Sequence, residues 1–257
     1  MKIVLCMKQV PLKDSTLKIG AGGLWIDEQN LNFEINESDH YGLEAALRLK
    51  EKHAPSEVVL LTIGPARAKQ ALSQALAKGA DRAIHVVHDQ PLMDPRLTAQ
   101  VLAAAIKTEA PDLILAGLQS EDAGFGQVGV VLAELLGLSH ATLVMEINVE
   151  GSRLKLKREL ESGWFQYITL PMPAVLTIQS GLATIRYATI KGIMEAKKKP
   201  IKETTIAALG VEAGGAQLNL RKLYVPLKSK KTQMLTGDPK AVAAQLADRL
   251  KNEAKVI

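Results

Sequence analysis

Residues 116–137, AGLQSEDAGFGQVGVVLAELLG, lead from an apolar strand into a segment with helical periodicity, and this junction indicates the fold class. Three glycines, Gly124, Gly126 and Gly129, stand where the helix is expected to begin. The first amides of a helix have no partner within it, and glycine leaves them without side-chain cover. Such amides, at the positive end of the helix dipole, favour a phosphate. The stretch therefore predicts a nucleotide-binding loop; the alternative is a tight strand–helix turn whose glycines serve only packing.

The polar side chains of this loop suit different parts of a nucleotide. Gln127 supplies a neutral amide. The carboxylates of Glu121 and Asp122 accept hydrogen bonds from ribose hydroxyls but repel a phosphate placed close to them. No GxxxxGK[ST] phosphate loop occurs, and residues 116–126 are not interpreted as a GxGxxG dinucleotide turn. The loop thus predicts a nucleotide without specifying which one.

Around this junction, short apolar strands alternate with helix-period segments over the first two-thirds of the chain. Strands are predicted at residues 2–8, 57–64, 82–88, 112–117 and 140–149, and helices at 38–53, 65–79 and 94–110. Ser38 and Asp39 are the expected caps of the first helix. Such alternation is typical of a parallel sheet covered on both faces, whose ligands bind where the strand order reverses. The predicted fold class is α/β, with a doubly wound, mainly parallel, Rossmann-like sheet of the adenine-nucleotide-binding type.

The pattern changes after Gly151. Residues 153–160 and 164–170 alternate apolar and polar side chains, which is typical of half-buried antiparallel strands. An antiparallel hairpin over residues 152–170 is therefore predicted as an addition to the sheet. A further apolar strand is predicted at 173–179.

Two other segments carry weaker signals. Residues 17–27 predict a hairpin that turns on glycines. From about Ala183 no regular element is predicted until an amphipathic helix at 238–256, which Asp238 is expected to cap. The apolar face of this helical arm has no evident place in an α/β layer, so it is expected to dock on another chain or, equally, on its own domain.

The composition of the 257-residue chain is that of a globular protein, with 47% hydrophobic and 23% charged residues. Only 4% of residues are aromatic and the net charge is +5, so neither base stacking nor charge predicts a nucleic-acid partner. Cys6 is the single cysteine, so no disulfide forms within the chain, which fits a reducing compartment without establishing one. No stretch resembles a membrane helix or a signal peptide. A cytoplasmic location is predicted.

Candidates for metal binding or catalysis are few. His85 and His88, at a strand end, have no third ligand nearby and are interpreted as a surface pair. Neither a Ser/His/Asp pattern nor a catalytic acid–base pair is recognised. The sequence therefore predicts no metal site and no enzyme active site.

A basic segment near residue 200 has two interpretations. AKKKPIK (196–202) contains four lysines in seven residues and by default is a solvated surface. Its upstream neighbours Tyr187, Ile190, Ile193 and Met194 are apolar, and an apolar anchor beside lysines suits a fast, weak protein contact. A docking site is therefore the alternative.

Several stretches together resemble the β subunit of electron-transfer flavoproteins. They are MKIVLCMKQVP (1–11), ESDHYGLEAALRLKE (37–51), IGP (63–65), ALAKGADRAIHV (75–86), LKRELESG (156–163), LPMPAVLTI (170–178) and RYATIKGIMEAKKKPI (186–201). Their order and spacing agree with that family over nearly the whole chain. The stretches that begin at 156 and 186 are the most specific.

The resemblance implies a function. Such β subunits pair with an α subunit that carries most of the site for a redox-active FAD, and the heterodimer passes electrons from acyl-CoA dehydrogenases and similar flavoenzymes to a quinone reductase. The β subunit holds a second nucleotide: AMP in most members, and a second FAD in the members that bifurcate electrons. A bifurcating, NADH-oxidising protein and a stand-alone nucleotide-binding signalling domain remain the alternatives to a non-catalytic electron carrier with a structural AMP.

The resemblance also assigns residues. The nucleotide is expected to contact residues at four places along the chain: Cys6; Asn36, Glu37, Ser38 and Asp39; Ile63; and Gly117, Gln119, Ser120, Glu121, Asp122, Ala123, Gly124, Phe125, Gly126, Gln127 and Val128. The partner-docking residues are expected to be Tyr187, Ile190, Met194, Lys197, Lys198 and Lys199, with Ile190 as the anchor. The implied division is a nucleotide-binding domain at 1–183, a recognition loop at 184–203 and an α-subunit-binding arm at 204–257.

One departure from the family concerns the phosphate. Many AMP-binding relatives have an amide, a glutamine and a hydroxyl in succession where this chain has Gly126, Gln127 and Val128. Two side-chain donors are thus absent, so phosphate binding is expected to depend on backbone amides and Gln127. Bifurcating relatives often read Ala-Gln-Val there, which keeps a second FAD as the alternative to AMP.

Overall fold

A computed structural model describes residues 1–212, 214–227 and 232–257. The chain divides into two compact units, Met1–Leu223 and Tyr224–Ile257. Of the arm expected at 204–257, residues 213 and 228–231 lie outside the described part. The division into a nucleotide domain, a recognition loop and an arm is functional and stays a prediction.

The first unit contains eleven strands and five helices, and the second contains one helix, within the described residues. The strands are β1 Lys2–Cys6, β2 Gln9–Pro11, β3 Phe33–Ile35, β4 Glu57–Gly64, β5 Arg82–Val87, β6 Leu113–Gly117, β7 Ser139–Glu150, β8 Arg153–Glu159, β9 Phe165–Pro171, β10 Ala174–Ile178 and β11 Ile201–Thr205. The helices are α1 Glu37–Lys52, α2 Lys69–Lys78, α3 Pro95–Lys107, α4 Val128–Leu136, α5 Ile190–Ala196 and α6 Pro239–Asn252.

Nine strands form one sheet in the order β11-β5-β4-β1-β6-β10-β7-β8-β9. Strand β1 is parallel to both β4 and β6, so the chain builds the sheet outward from β1 in one direction and then from β6 in the other. The strand order therefore reverses between β1 and β6. The prediction of a doubly wound, mainly parallel sheet is confirmed, and its reversal point lies at the opening loop of the sequence.

Both faces of the sheet are covered, because successive side chains of a strand point to opposite sides. Ile3 and Leu5 of β1 belong to the apolar cluster that includes α1 and α2. Val4 and Cys6 belong to the cluster that includes α3 and α4. Each fully buried aliphatic side chain of this kind contributes about 1.5–3 kcal/mol to folding.

The predicted antiparallel addition is also confirmed. Strands β7, β8 and β9 form an antiparallel meander at one end of the sheet. Leu154 and Leu156 of β8 are buried, whereas Arg153 and Lys155, which alternate with them, are exposed, as the alternation predicts. The two leucines belong to the same apolar cluster as the buried side chains of α1.

The segment after Ala183 is more regular than predicted. It contains α5, whose start is capped by Thr189 through a 3.0 Å bond from the Gly192 amide, and β11, which pairs in parallel with β5. The helix has only seven residues, and β11 is an exposed edge strand without an apolar run, so neither gave a periodic signal. The hairpin predicted at 17–27 is reduced to a single bridge between Ile19 and Ile26.

The second unit is built on α6. Asp238 caps it, accepting hydrogen bonds from the amides of Lys240 (3.0 Å) and Ala241 (3.2 Å), as predicted. None of the residues of α6 is buried. Within the described ranges, no helix is both long enough and apolar enough to cross a membrane.

Candidate nucleotide-binding site

A pocket of about 190 Å³ opens at the carboxyl ends of β1, β4 and β6, where the strand order reverses. Ten of the sequence-predicted site residues line it: Cys6, Asp39, Ile63, Ser120, Asp122, Ala123, Phe125, Gly126, Gln127 and Val128. The other seven adjoin these along the chain: Asn36, Glu37, Ser38, Gly117, Gln119, Glu121 and Gly124. The fold thus brings four separate stretches of sequence to one place.

Two of the lining residues are strand ends with apolar side chains. Cys6 ends β1 and is 7% exposed, while Ile63 lies one residue before the end of β4. Burial, and after it the charge of Asp39, raises the pKa of the Cys6 thiol. The thiol therefore stays protonated and forms part of an apolar wall rather than a nucleophile.

The first turn of α1 differs from the sequence prediction. The N-cap is Asn36, and Ser38 and Asp39 are buried inside the helix, so the prediction that they cap it is wrong. Their side chains point to neighbouring strands instead. The Asp39 carboxylate accepts hydrogen bonds from the amides of Lys8 (2.7 Å) and Gly117 (2.9 Å). Asp39 thereby links the end of β1 to the end of β6.

Burial raises the pKa of Asp39 to about 7, although the two amide hydrogen bonds, a contact with Asn36 and the charge of Lys8 lower it in part. The carboxyl group therefore changes its charge near neutral pH. An anion bound in the same pocket would favour its protonated form.

Asn36 fastens the loop after β6 to the start of α1. Its side-chain amide donates to the Gln119 carbonyl (2.9 Å) and its side-chain oxygen accepts from the Glu121 amide (2.9 Å). The Ser38 hydroxyl donates to the same Gln119 carbonyl at 3.0 Å. Residues 119–121 are thus held by Asn36 and Ser38, for which the sequence predicted direct nucleotide contacts and, for Ser38, a helix cap.

The two acids of the loop are each matched by a lysine. Asp122 accepts from the Lys8 ammonium at 2.7 Å, and Glu121 lies 3.9 Å from the Lys13 ammonium. Because Asp122 is paired, its charge opposes a nearby phosphate much less than a free carboxylate would. Lys8 also lines the pocket, and the sequence interpretation missed it.

The glycines of the loop have distinct roles. Gly124 and Gly126 adopt positive φ values of 65° and 63°, which glycine adopts at least cost. A Cβ at Gly129 would lie 2.3 Å from Cγ2 of Thr177 on β10, so this glycine allows α4 to approach the sheet. Packing and ligand access are therefore both served, by different glycines.

Residues 124–129 do have the GxGxxG spacing, which the sequence interpretation overlooked by ending at residue 126. In nucleotide-binding sheets the first two glycines form the turn and allow close approach, and the third allows helix–strand packing. Gly124, Gly126 and Gly129 match these roles. Here, however, residues 118–123 separate the motif from β6.

Helix α4 begins at the pocket with uncovered amides. Gln127 occupies its N-cap position, and no described side chain caps it. Gln127 and Val128 both line the pocket. The positive end of a nine-residue helix thus faces the cavity, as the glycines predicted.

The far wall of the pocket is formed by residues that the sequence interpretation did not select. They include Trp25, Arg67, Leu92, Met93 and Pro95. The guanidinium of Arg67 lies 4.0 Å from the centre of the Phe33 ring and pairs with Glu28 at 2.8 Å. Periodicity can place such a residue on an element, but it does not show which cavity the residue lines, because the fold brings these segments together.

His85 is the one metal-ligand candidate whose interpretation changes. It is fully buried, and its Nε2 lies 2.9 Å from the Gly64 carbonyl, so the prediction of a surface pair with His88 is wrong. Among the described residues, no group of three or more His, Cys, Asp or Glu side chains is arranged to hold a metal ion.

The predicted docking residues are strongly exposed on and around α5. Tyr187 is 93% exposed, Ile190 80% and Met194 65%, and Lys197 and Lys198 are also exposed. We refer to Tyr187, Ile190, Ile193 and Met194 as the α5 patch. Large apolar side chains that cluster on a surface in this way mark interaction sites.

The α5 patch is held at both ends. Upstream, Arg186 pairs with the buried Glu44 of α1 at 2.9 Å. Downstream, the Lys199 ammonium donates to the carbonyls of Leu76 (2.9 Å) and Ala80 (2.6 Å) at the end of α2. Lys199 therefore has a structural partner, whereas Lys197 and Lys198 face solvent.

Comparisons with known proteins agree with one family. The electron transfer flavoprotein domain matches residues 23–209. The chain is similar to proteins named electron transfer flavoprotein subunit beta: it is 36% identical over 255 residues to that of Methylophilus methylotrophus (96% of each chain) and 37% over 257 residues to that of Bradyrhizobium diazoefficiens (100% of each). It is 34% identical over 261 residues to the relative from Oryza sativa subsp. japonica, whose name adds mitochondrial (100% of each).

Proposed function

Since the chain belongs to the β-subunit family of electron transfer flavoproteins, we propose that it is the non-catalytic half of a heterodimeric electron carrier and holds a structural AMP. Its partner is an α subunit, with which it encloses a redox-active FAD. The electron donors are acyl-CoA dehydrogenase-type flavoenzymes and the acceptor is a quinone reductase. The proposed location is the cytoplasm.

One observation carries the proposal of a nucleotide: the uncapped start of α4 faces a pocket at the reversal point of the sheet. The amides after Gly126 and the Gln127 side chain would hold the phosphate, since neutral donors bind an oxyanion well at a helix start. Ion pairing of Asp122 with Lys8 removes the main electrostatic objection. The apolar walls at Cys6 and Ile63 suit the adenine ring.

AMP in this role supplies stability rather than chemistry. A ligand that binds only the folded state stabilises that state according to its concentration over its dissociation constant. The pocket offers Cys6 with a raised pKa, Asp39 held by two amides and Asp122 held in an ion pair with Lys8. The residues therefore bind and position, and the redox chemistry belongs to the FAD shared with the α subunit.

The α5 patch supports the proposed contact with flavoenzymes. An exposed apolar anchor such as Ile190 supplies binding energy, and nearby exposed lysines accelerate the encounter with an acidic partner. Because Arg186 and Lys199 fix the segment, docking requires little ordering of this surface.

The second unit supports the proposed contact with the α subunit. Residues 204–223 belong to the first unit, so we place the arm at 224–257. Its apolar side chains are uncovered: Leu227 is 96% exposed, Met234 82% and Val225 76%. Such a segment is stabilised by burial against another chain.

The test is removal of AMP from the purified heterodimer. We expect the melting temperature to fall and the FAD to remain reducible by a dehydrogenase, since AMP holds only the fold. Loss of flavin reduction after AMP removal would contradict the structural role. A stable homodimer of this chain expressed alone would instead support a stand-alone signalling domain.

A second candidate is a bifurcating β subunit with its own FAD, which would oxidise NADH. Two observations favour it: Val128 offers no hydroxyl at the start of α4, and the pocket continues past the strand ends to Trp25 and Arg67. A larger dinucleotide would use that extension, whereas AMP would leave it to solvent.

A further inference from the structure

Asp94 is a buried carboxylate that binds two distant parts of the chain at once. It is 3% exposed. One oxygen, Oδ1, caps α3 by accepting from the amides of Arg96 (2.8 Å) and Leu97 (3.3 Å). The other oxygen, Oδ2, accepts from the amides of Gln217 (2.6 Å) and Leu218 (3.1 Å). Capping needs only the first oxygen, so the second has a separate role.

The segment that Oδ2 holds, 214–218, is otherwise irregular. Apart from this anchor, Ala216 packs against the apolar cluster that α3 covers, as Val211 does. The chain then continues to Tyr224, where the second unit begins. At the boundary itself the Leu223 amide donates to the Gly23 carbonyl at 2.7 Å. The Asp94 bonds to Gln217 and Leu218 are the hydrogen bonds to a side chain that the described residues show in segment 214–218.

Asp94 is flanked in sequence by residues that line the pocket. Its two neighbours, Met93 and Pro95, both line the pocket, and so does Thr98 one turn further along α3. A displacement of the start of α3 would move this wall and the carboxylate together.

The charge of Asp94 is maintained in spite of its burial. Burial alone would raise its pKa, but the hydrogen bonds from Gln217, Leu218, Arg96 and Leu97 hold the pKa below its ordinary value. Hydrogen bonds to an ionised acceptor are about twice as strong as neutral ones. Segment 214–218 is thus held by an ionised carboxylate.

We propose that Asp94 is a positioning residue that couples the nucleotide pocket to segment 214–218, so that an occupied pocket orders the chain that leads into the α-subunit-binding arm. The coupling rests on the proposed function of the pocket. By linkage it is reciprocal: if AMP favours binding of the α subunit, the α subunit favours AMP by the same factor.

The decisive variant is Asp94→Asn. Asparagine caps a helix as well as aspartate does, so its oxygen keeps the bonds to Arg96 and Leu97. Its NH₂ group then faces the amides of Gln217 and Leu218, and these two hydrogen bonds are lost. Asp238→Asn is the matched control, because within the described part of the chain the Asp238 carboxylate is seen only capping α6.

The measurement is hydrogen exchange of residues 214–223 in the heterodimer, with and without AMP, together with the dissociation constant of AMP. In the wild type and in Asp238→Asn, AMP is expected to slow exchange at 217 and 218. In Asp94→Asn, exchange at 217 and 218 becomes about tenfold faster and no longer depends on AMP. The dissociation constant of AMP rises about fivefold or more. If Asp94→Asn does not fold, Gln217→Pro removes one donor and leaves the α3 cap intact.

Three results would contradict the proposed coupling. AMP binding of wild-type strength in Asp94→Asn would overturn the coupling and leave the proposed function in place. AMP binding to the wild type without slower exchange at 217 and 218 would do the same. Failure of the wild type to bind AMP would overturn the AMP proposal and the coupling with it.

Discussion

Gly117 shows how closely the site is built. It ends β6, and a Cβ there would lie 2.2 Å from the Ser38 hydroxyl and 2.3 Å from the Asp39 carboxylate. Both side chains hold the loop through hydrogen bonds. Ser38 and Asp39 are buried, so they could yield to a Cβ only by breaking these hydrogen bonds. The contact between the strand end and α1 therefore depends on the absence of a side chain at Gly117.

Gly117→Ala is therefore expected to lower the free energy of unfolding by about 1–3 kcal/mol, as overpacking of a filled site does. AMP affinity should fall as well, because Ser38 and Asp39 position residues 117–119. Urea unfolding and calorimetric titration measure the two effects. Gly22→Ala is the control, since a Cβ there has no neighbour within 4 Å; equal stability of both variants would refute the close contact.

Asp39 gives a prediction about pH. Its folded-state pKa of about 7 lies above the ordinary value near 3.8, so the folded protein keeps a proton that the unfolded chain releases. Its contribution to stability is therefore complete below about pH 4 and is lost as the pH rises to about 7.

Asp39→Asn removes this titration. Relative to the wild type, the variant should gain stability as the pH is raised from 5 to 8, whatever the constant cost of the altered hydrogen bonds. Urea unfolding at pH 5, 6.5 and 8 measures the difference. A difference that stays flat over this range would show that the Asp39 pKa is not raised.

At the scale of elements, the sequence predicted those helices and strands whose apolar residues recur with a clear period. The strand at Glu57–Gly64 and the Asp238 cap carry strong local signals, and both were predicted. Helix α5 and strand β11 carry none, because one is short and the other is an exposed edge. Ser38 and Asp39 have cap chemistry but serve tertiary contacts, which only the fold reveals.

Truncation of a side chain in the α5 patch is expected to weaken docking without affecting folding. Ile190 is 80% exposed, so Ile190→Ala should leave the melting temperature and flavin content unchanged. Electron transfer from a dehydrogenase should weaken about fivefold or more, as expected when an anchor worth over 1 kcal/mol is truncated. Stopped-flow flavin reduction measures this, with the exposed Leu24→Ala as control; transfer at the wild-type rate would exclude Ile190 as the anchor.

The lysines after α5 should separate into two classes. Lys197→Gln with Lys198→Gln should lower the association rate with the dehydrogenase and reduce its salt dependence, because both side chains face solvent. Lys199→Gln should mainly lower stability, since it loses two carbonyl partners at the end of α2. Association kinetics at two ionic strengths and thermal unfolding distinguish them; identical behaviour of all three lysines would contradict the assignment.

At the scale of the whole molecule, the sequence was sufficient for the fold class and the family but not for the complete pocket. The loop from 117 to 128 was found because glycines and a helix start lie together in sequence. Lys8, Trp25 and Arg67 were missed because only the reversal of strand order brings their segments to the same cavity. At a reversal point, one part of a site can therefore be predicted from local sequence, and the other part only from the order of the strands.

The central claim is that this pocket binds AMP in a β subunit whose partner carries the redox flavin. The most direct measurement is the cofactor inventory released when the purified heterodimer is denatured, with nucleotides separated and quantified. We predict one AMP and one FAD per heterodimer. Two FAD and no AMP, or a single FAD with nothing from this pocket, would contradict it.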